Sequence, residues 1–110
     1  MKITKEEHFS LITTDEASFE VFYTNFTKHK IAEPKTHLVL ELSENLNTTI
    51  KDLSLFLDIA TAFRSNGMSF VVICNKIDID EIPDEINVVP TLTEAKDVLE
   101  MEAIERDLGF

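Results

Sequence analysis

Apolar residues recur along this chain with two different spacings, which together predict an alternation of strands and helices. Four aromatic residues between positions 19 and 26 follow the i, i+3, i+4, i+7 spacing of one helix face. We interpret this aromatic stripe as a core face, with Asp15 or Ser18 as the cap of the helix. A second stripe predicts a helix from about Ile50 to Ser65, which Asn66-Gly67 would end because glycine accepts the left-handed C-cap conformation.

Shorter apolar segments predict the strands of a sheet. Residues 2–14 favour two short strands with a turn near Glu6-Glu7, and Leu38–Leu42 is apolar enough for a central strand. The β-branched segment Ser69–Cys74 is the clearest strand of the chain. Because a helix separates Leu38–Leu42 from Ser69–Cys74, we expect these two strands to pair in parallel with a right-handed crossover.

The last third of the chain predicts one more strand and one more helix. Val88-Val89-Pro90 is typical of a short edge strand, since proline cannot donate to the strand ladder. Thr91 or Thr93 then starts a final helix, and Thr91–Glu94 has the spacing of a capping box. We expect its inward face to continue to Ile104 and Leu108. In order, these elements predict an α/β fold, with a single mixed β-sheet of four to five strands and helices packed on it.

The composition favours one domain with an acidic surface. The 110 residues suit a single domain, and 44% of them are hydrophobic, which is enough for a core. The formal net charge is −11, and residues 56–110 carry four basic and twelve acidic residues. Such a surface repels phosphate backbones and anionic lipids, so we expect a basic protein as partner and neither nucleic acid nor membrane. The alternative is that the acidity serves only solubility.

The cysteine content and the first residues bear on the cellular compartment. Cys74 is the sole cysteine, so nothing suggests an oxidising compartment. The first residues contain no apolar run typical of a signal peptide, and no segment approaches the roughly 18 apolar residues of a membrane span. We therefore expect a cytoplasmic protein.

No recognisable catalytic arrangement occurs in the sequence, so we expect neither an enzyme nor a cofactor. The histidines His8, His29 and His37 do not have metal-ligand spacing. No grouping of Ser, His and an acidic residue predicts a nucleophilic triad.

Residues 78–85 form an acidic cluster around Pro83, in which we expect one helical turn. Counted from Asp78, the fifth, sixth and twelfth positions lack the oxygen ligand, the Gly and the Glu that a calcium-binding EF-hand loop needs. We interpret the cluster as a solvated acidic rim or a docking patch for Lys and Arg. Its acidic members are Asp78, Asp80, Glu81, Asp84 and Glu85.

One short motif suggests an alternative function, a small-ligand or guanine-nucleotide binder. Asn75-Lys76-Ile77-Asp78 follows a predicted strand directly and matches the Asn-Lys-x-Asp motif with which GTPases bind guanine. A GTPase also needs a Gly-rich phosphate loop, and the chain has only Gly67 and Gly109. A strand-end loop is therefore the simpler interpretation of Asn75, Lys76 and Asp78.

Residues 100–110 combine acidic residues with a few large apolar side chains. One interpretation is the frayed end of a helix, with Gly109 as its stop. The other is a short C-terminal docking tail, with Leu108 and Phe110 as its anchors.

Four segments between residues 39 and 95 carry fold motifs: a strand that ends in an acidic-Leu-Ser step, a helix that closes at Gly, a second apolar strand, and a late Pro-Thr before a Glu-Ala helix. They are Val39–Ser43, Leu53–Ala60 with Asn66-Gly67, Phe70–Cys74, and Pro90–Ala95. In these motifs the chain resembles the STAS domain of bacterial anti-sigma-factor antagonists and sulfate transporters, over a little more than half of its length. The resemblance implies a STAS-like fold and a non-catalytic protein-protein interaction module, with an anti-sigma factor or a kinase-like regulator as partner.

In the STAS family, the switch residue is a serine in an Asp-Ser-Ser-Gly-like turn, at the start of the helix after the central strand. A kinase-type anti-sigma factor phosphorylates it, and the charge of the phosphate releases the partner. The resemblance places this turn at residues 48–52 and implies Thr48 or Thr49 as the phospho-acceptor. The turn contains no Asp-Ser pair and no Gly, so the switch loop is degenerate.

We expect the partner to dock on the loop 43–52 and on the face of the helix that follows it, with the acidic cluster at the rim. A homodimer is a further arrangement that the sequence leaves open. The predicted partner-binding residues are Ser43, Asn45, Asn47, Lys51, Asp52, Asp80, Glu81, Asp84 and Glu85.

The chain as a whole also resembles small STAS-like bacterial proteins that are often named ribonuclease Z. That enzyme needs a His-x-His-x-Asp-His metal cluster, and this sequence contains none. A third interpretation is therefore an accessory protein associated with ribonuclease Z.

Overall fold

Five strands form one mixed sheet and lie side by side in the order in which they occur along the chain. The computed structural model describes residues 1–29, 31 and 33–109, without the side chains of Asn45 and Ile79. The strands are β1 (Lys2–Lys5), β2 (Ser10–Thr13), β3 (Leu38–Glu41), β4 (Phe70–Ile73) and β5 (Asn87–Val89). β1 pairs with β2 in an antiparallel hairpin, and β2 to β5 pair in parallel. The prediction of a single mixed sheet of four to five strands with packed helices is thus confirmed.

Helices connect the parallel strands and follow the last one. They are α1 (Phe19–Lys28), α2 (Ile50–Ser54), α3 (Leu57–Ser65) and α4 (Leu92–Asp107), with 3-10 turns at Glu44–Leu46 and Ile79–Glu81. Of the two predicted caps of α1, Ser18 is the one used, since its hydroxyl accepts a hydrogen bond from the Val21 N–H at 3.3 Å.

Helix α3 ends at Asn66-Gly67, as the sequence predicts. Gly67 has a φ of +70°, in the left-handed region that other residues rarely adopt. The Met68 N–H bonds to the Phe63 carbonyl at 2.8 Å, and the Gly67 N–H bonds to the Arg64 carbonyl at 3.1 Å. These two bonds form a Schellman motif, which satisfies carbonyls that the helix end would otherwise leave unpaired.

The prediction of one continuous helix from Ile50 to Ser65 is wrong, because the chain forms the separate helices α2 and α3. Between them, the N–H groups of Leu55 and Phe56 bond to carbonyls three residues back, at 3.1 and 3.0 Å, which tightens the turn. The Ser54 hydroxyl also bonds to the Ile50 carbonyl at 3.0 Å and competes with the regular helix pattern. The apolar spacing does not reveal this break, since Leu53 and Phe56 stay buried on either side of it.

The two faces of the sheet carry separate cores. Side chains alternate along each strand, so Leu38 and Leu40 pack on one face while Val39 packs on the other. Helices α1, α2 and α3 cover the first face, where Phe56 lies among four aromatic rings at centroid distances of 5.7 to 6.1 Å. These rings belong to Phe19, Tyr23, Phe26 and Phe70. The N-terminal half of α4 covers the second face through Ala95 and its neighbours.

Helix α4 begins after Thr91, one of its two predicted start residues, and then departs from the prediction. The Thr91 hydroxyl accepts a hydrogen bond from the Glu94 N–H at 3.3 Å, which caps the helix. The expected inward positions Ile104 and Leu108 are exposed. Polar contacts cause the difference, because Glu102 and Arg106 bond to side chains at the sheet. Residues 100–107 are helical, and Phe110, the other anchor of the expected docking tail, lies outside the described residues.

Replacing Phe56 by alanine should lower the free energy of unfolding by about 3–5 kcal/mol, because a fully buried ring is lost from the aromatic cluster. Urea denaturation followed by circular dichroism measures the change. Leu55→Ala is the matched control, since this neighbouring side chain is half exposed; its effect should stay below about 0.5 kcal/mol. Equal losses in the two variants would contradict the packing described.

Candidate functional site

The carboxyl ends of the parallel strands meet at one edge of the sheet, where ligand and partner sites of α/β folds concentrate. Thr13-Thr14 ends β2, Ser43 follows β3 and Asn75 follows β4. We call this the carboxyl edge. The segment that follows β3 there, residues 43–52, is named the edge loop.

Hydrogen bonds and one buried side chain hold the first half of the edge loop in place. The Ser43 N–H donates to the buried Thr14 hydroxyl at 2.7 Å, which ties the loop to β2. Leu46 is buried in the aromatic core, and its N–H bonds to the Ser43 carbonyl at 3.1 Å. Asn47 then turns the chain with a φ of +50°, a left-handed conformation that Asn tolerates better than most residues. The loop backbone is therefore ordered before any partner arrives.

The second half of the edge loop is fixed by a capping box at the start of α2. The Thr49 hydroxyl accepts from the Asp52 N–H at 3.1 Å, and the Asp52 carboxylate accepts from the Thr49 N–H at 3.0 Å. Thr49 is thus the N-cap of α2. The Thr48 hydroxyl oxygen is buried and has no hydrogen-bond partner among the described residues.

Charged and polar side chains of the edge loop point to solvent. Glu44, Asn47, Thr49 and Lys51 are exposed. The Lys76 ammonium, which follows β4, lies 4.0 Å from the Glu44 carboxylate, so the neighbouring loop adds a positive charge to this surface. The predicted residue Asn45 lies in the 3-10 turn, and its side chain is outside the described part of the structure.

Among the described residues, two cavities open at the carboxyl edge. The larger has a volume of about 340 Å³, and the smaller, of about 10 Å³, is close to the size of one water molecule. Hydroxyl, amide and carboxylate groups line both, and the lining residues include no histidine. The larger cavity is lined by Thr13, Thr14, Glu41, Leu42, Ser43, Glu44, Ile73, Cys74, Asn75 and Pro90.

Sequence reasoning missed the contribution of β2 to this site. Thr13 and Thr14 line the larger cavity, and Thr14 also anchors the edge loop. A signal was present, because these threonines end a predicted strand just as Ser43 ends the next one. Aligning the carboxyl ends of the strands would have identified them.

The residues of the predicted nucleotide motif do not converge on one cavity. Asn75 and Lys76 line the small cavity, whereas Asp78 lines neither cavity at this edge. The Asp78 carboxylate instead accepts a hydrogen bond from the Asp80 N–H at 3.0 Å, within its own turn. A guanine base would need Asn75 and Asp78 around one pocket, so this geometry offers the nucleotide alternative no support.

The acidic cluster does not lie together beside the edge loop. Its five acidic side chains are all exposed, while Ile82 and Ile86 between them are buried. The cluster lies on the connection from the end of β4, at the carboxyl edge, back to the start of β5, at the opposite edge of the sheet. Its two ends are therefore near opposite edges. At its far end, Arg64 donates to the Glu85 carbonyl at 3.1 Å. Asp84 and Glu85 therefore lie near the amino ends of the strands, and only the start of the cluster adjoins the carboxyl edge.

A polar network at the opposite, amino edge was not found from the sequence. Ser69 is 1% exposed; its N–H donates to His37 Nδ1 at 2.9 Å, and its hydroxyl accepts from Arg106 Nη1 at 3.2 Å. Burial lowers the pKa of His37, and the nearby Arg106 and His8 lower it further, while Glu102 opposes them. A cavity of about 670 Å³ adjoins this network.

Two further features bear on the class of function. Within the described residues, no group of three or more His, Cys, Asp or Glu side chains is placed to hold a metal ion. None of the helices in that part of the chain combines the length and the apolar character that crossing a bilayer requires.

No family model matches this chain, and no curated protein matches its sequence. The resemblance to STAS domains therefore stays a prediction.

Thr49→Ala should lower the free energy of unfolding by about 1 kcal/mol, since it removes the hydroxyl that caps α2. Thr49→Ser keeps a capping oxygen and should retain most of the stability. Chemical denaturation of both variants against the wild type measures the difference. If Thr49→Ala were as stable as Thr49→Ser, the capping box would not be stabilising the edge loop.

The lowered pKa of His37 predicts a stability that falls on acidification. Below about pH 6.5 the unfolded chain binds a proton at this imidazole more readily than the folded chain, so the free energy of unfolding should decrease as the pH drops. Urea denaturation at several pH values between about 7.5 and 5 measures this slope. His37→Gln should flatten it, whereas His29→Gln, at an exposed position, should leave it in place. An unchanged slope in His37→Gln would assign the effect to other groups.

Proposed function

We propose that this chain is a non-catalytic protein-protein interaction module whose docking surface is the edge loop at the carboxyl edge. The observation that carries the proposal is the combination of an ordered backbone with exposed polar side chains. Thr14, Leu46 and the capping box of Thr49 and Asp52 fix the loop. A loop that is already ordered loses little conformational entropy on binding, which favours recognition of a protein surface.

The chemistry of the edge favours binding over catalysis. A hydroxyl nucleophile needs a base within hydrogen-bond distance, and the Thr49 hydroxyl is instead engaged with the backbone of its own helix. The Thr48 hydroxyl is buried, and Cys74 is a buried thiol. The cavities beside them are lined without a histidine.

The proposed partner is another protein of the cytoplasm, of the anti-sigma-factor or kinase-like class that the STAS resemblance implies. The edge presents both signs of charge, with Lys51 and Lys76 beside Glu44 and Asp52. Mixed charges of this kind set the orientation of a protein partner. Association with ribonuclease Z rests on resemblance alone.

A phospho-switch on this loop would act through Thr49. Its side chain is exposed, whereas the hydroxyl of Thr48 is buried. A phosphate on Thr49 would place a charge of about −2 beside the Asp52 carboxylate, with which Thr49 shares the capping box. Repulsion between these groups would open the capping box and change the surface that the partner contacts.

Lys51→Glu tests the docking surface. The reversed charge faces the partner, while a glutamate in the first turn of α2 suits the helix dipole and leaves the fold intact. Lys96→Glu is the matched control, since Lys96 is exposed on α4, away from the carboxyl edge. We expect an anti-sigma-type partner to co-purify with the wild type and with Lys96→Glu, and about tenfold less with Lys51→Glu, as tenfold corresponds to about 1.4 kcal/mol of binding.

Quantitative mass spectrometry of the co-purified proteins provides the readout. Recovery of no protein, or equal recovery of the same partner with Lys51→Glu, would contradict docking through the edge loop.

A further inference from the structure

The C-terminal half of α4 presents large apolar side chains to solvent. Met101 is 60% exposed, Ile104 53% and Leu108 66%. Their i, i+3, i+7 spacing places them on one face of the helix. We call these three side chains the outer stripe.

Polar contacts fix the rotation of α4 that exposes the outer stripe. Asn87 donates to the Glu102 carboxylate at 2.9 Å, and Arg106 donates to the buried Ser69 hydroxyl at 3.2 Å. Two charged residues thus face the sheet while the apolar ones face outward. Turning the helix to bury the stripe would break both hydrogen bonds and leave the Ser69 hydroxyl without this donor.

Carboxylates border the outer stripe on both sides. At 3.6 residues per turn, Glu100 and Asp107 lie along one side of it and Glu105 along the other, and all three are exposed. Arg106 is the one basic residue among residues 100–109, and its guanidinium is held at Ser69. The stripe is therefore an apolar strip with a negative border.

We propose that the outer stripe docks an amphipathic helix of another protein, with an apolar face and basic flanks. An apolar stripe of this spacing matches the side chains of a helix laid along it, and Lys or Arg on the flanks would pair with the bordering carboxylates. A second copy of this chain would bring those carboxylates against each other, in a molecule whose formal net charge is −11. The stripe lies on the face opposite to α1–α3, toward the amino edge, so it is separate from the edge loop.

The probe is a synthetic amphipathic helix of about 16 residues, with leucines along one face and lysines beside them. Fluorescence anisotropy of the labelled peptide measures its dissociation constant. The double variant Met101→Ser/Ile104→Ser should weaken binding at least about tenfold, as expected for a central apolar contact. Val21→Ser/Leu55→Ser is the matched control, because both side chains are 49% exposed elsewhere on the surface; it should leave the affinity within about twofold.

A second pair of variants tests the charged border. Glu100→Gln/Glu105→Gln should weaken binding about threefold or more and reduce its dependence on salt. Glu20→Gln/Asp58→Asn removes the same charge from exposed positions on α1 and α3 and should change neither quantity. Circular dichroism and urea denaturation establish that each variant is folded.

Three results would overturn the proposal. The first is equal affinity for a peptide of the same composition with a scrambled, non-amphipathic order. The second is unchanged affinity in Met101→Ser/Ile104→Ser. The third is a dimer of the wild type in analytical ultracentrifugation that this double variant converts to a monomer, since the occupant would then be a second copy of the chain. Lys51→Glu should not affect peptide binding, which separates this test from that of the edge loop.

Discussion

The arrangement of parallel strands in chain order is the constraint on which the rest of the structure depends. A connection between parallel strands is right-handed in nearly all proteins, so strands that add successively in one direction place all their crossover helices on the same face. Helices α1, α2 and α3 accordingly share one buried cluster, in which Phe56, between α2 and α3, contacts rings from α1 and from the sheet. The opposite face is left to α4.

The same constraint positions both candidate surfaces. Because β2, β3 and β4 are parallel and adjacent, the residues that follow them, Thr14, Ser43 and Asn75, lie at one edge of the sheet. The hydrogen bond between Ser43 and Thr14 can therefore connect the edge loop to β2. Because α4 packs on its face without a neighbouring helix, Met101 and Ile104 on its outer side are more than half exposed. One topology therefore gives an ordered polar loop at the carboxyl edge and an apolar stripe near the amino edge.

Local signals predicted much of this fold. The aromatic spacing of α1, the apolar strand from Leu38 and the Asn66-Gly67 stop each specify an element from neighbouring residues alone, and the structure contains all three. The break after Ser54 was not predicted, because the apolar period continues through it.

The features that sequence reasoning missed depend on contacts between distant segments. Arg106 bonds to Ser69, 37 residues earlier, and this contact reverses the expected inward face of α4. The acidic cluster divides between two edges because the chain after β4 must return to the start of β5, as parallel strands require. Neither effect produces a periodic pattern of apolar residues in the sequence.

Amide NMR of the folded chain maps the surface that a protein partner contacts. A protein recovered by co-purification would be titrated into the isotopically labelled chain while the backbone resonances are followed. If the partner docks on the edge loop, the largest shifts should fall in residues 43–52 and at Lys76, with the amino edge unchanged. Shifts concentrated around His37 and Arg106, with the edge loop unaffected, would show that this loop is not the docking surface.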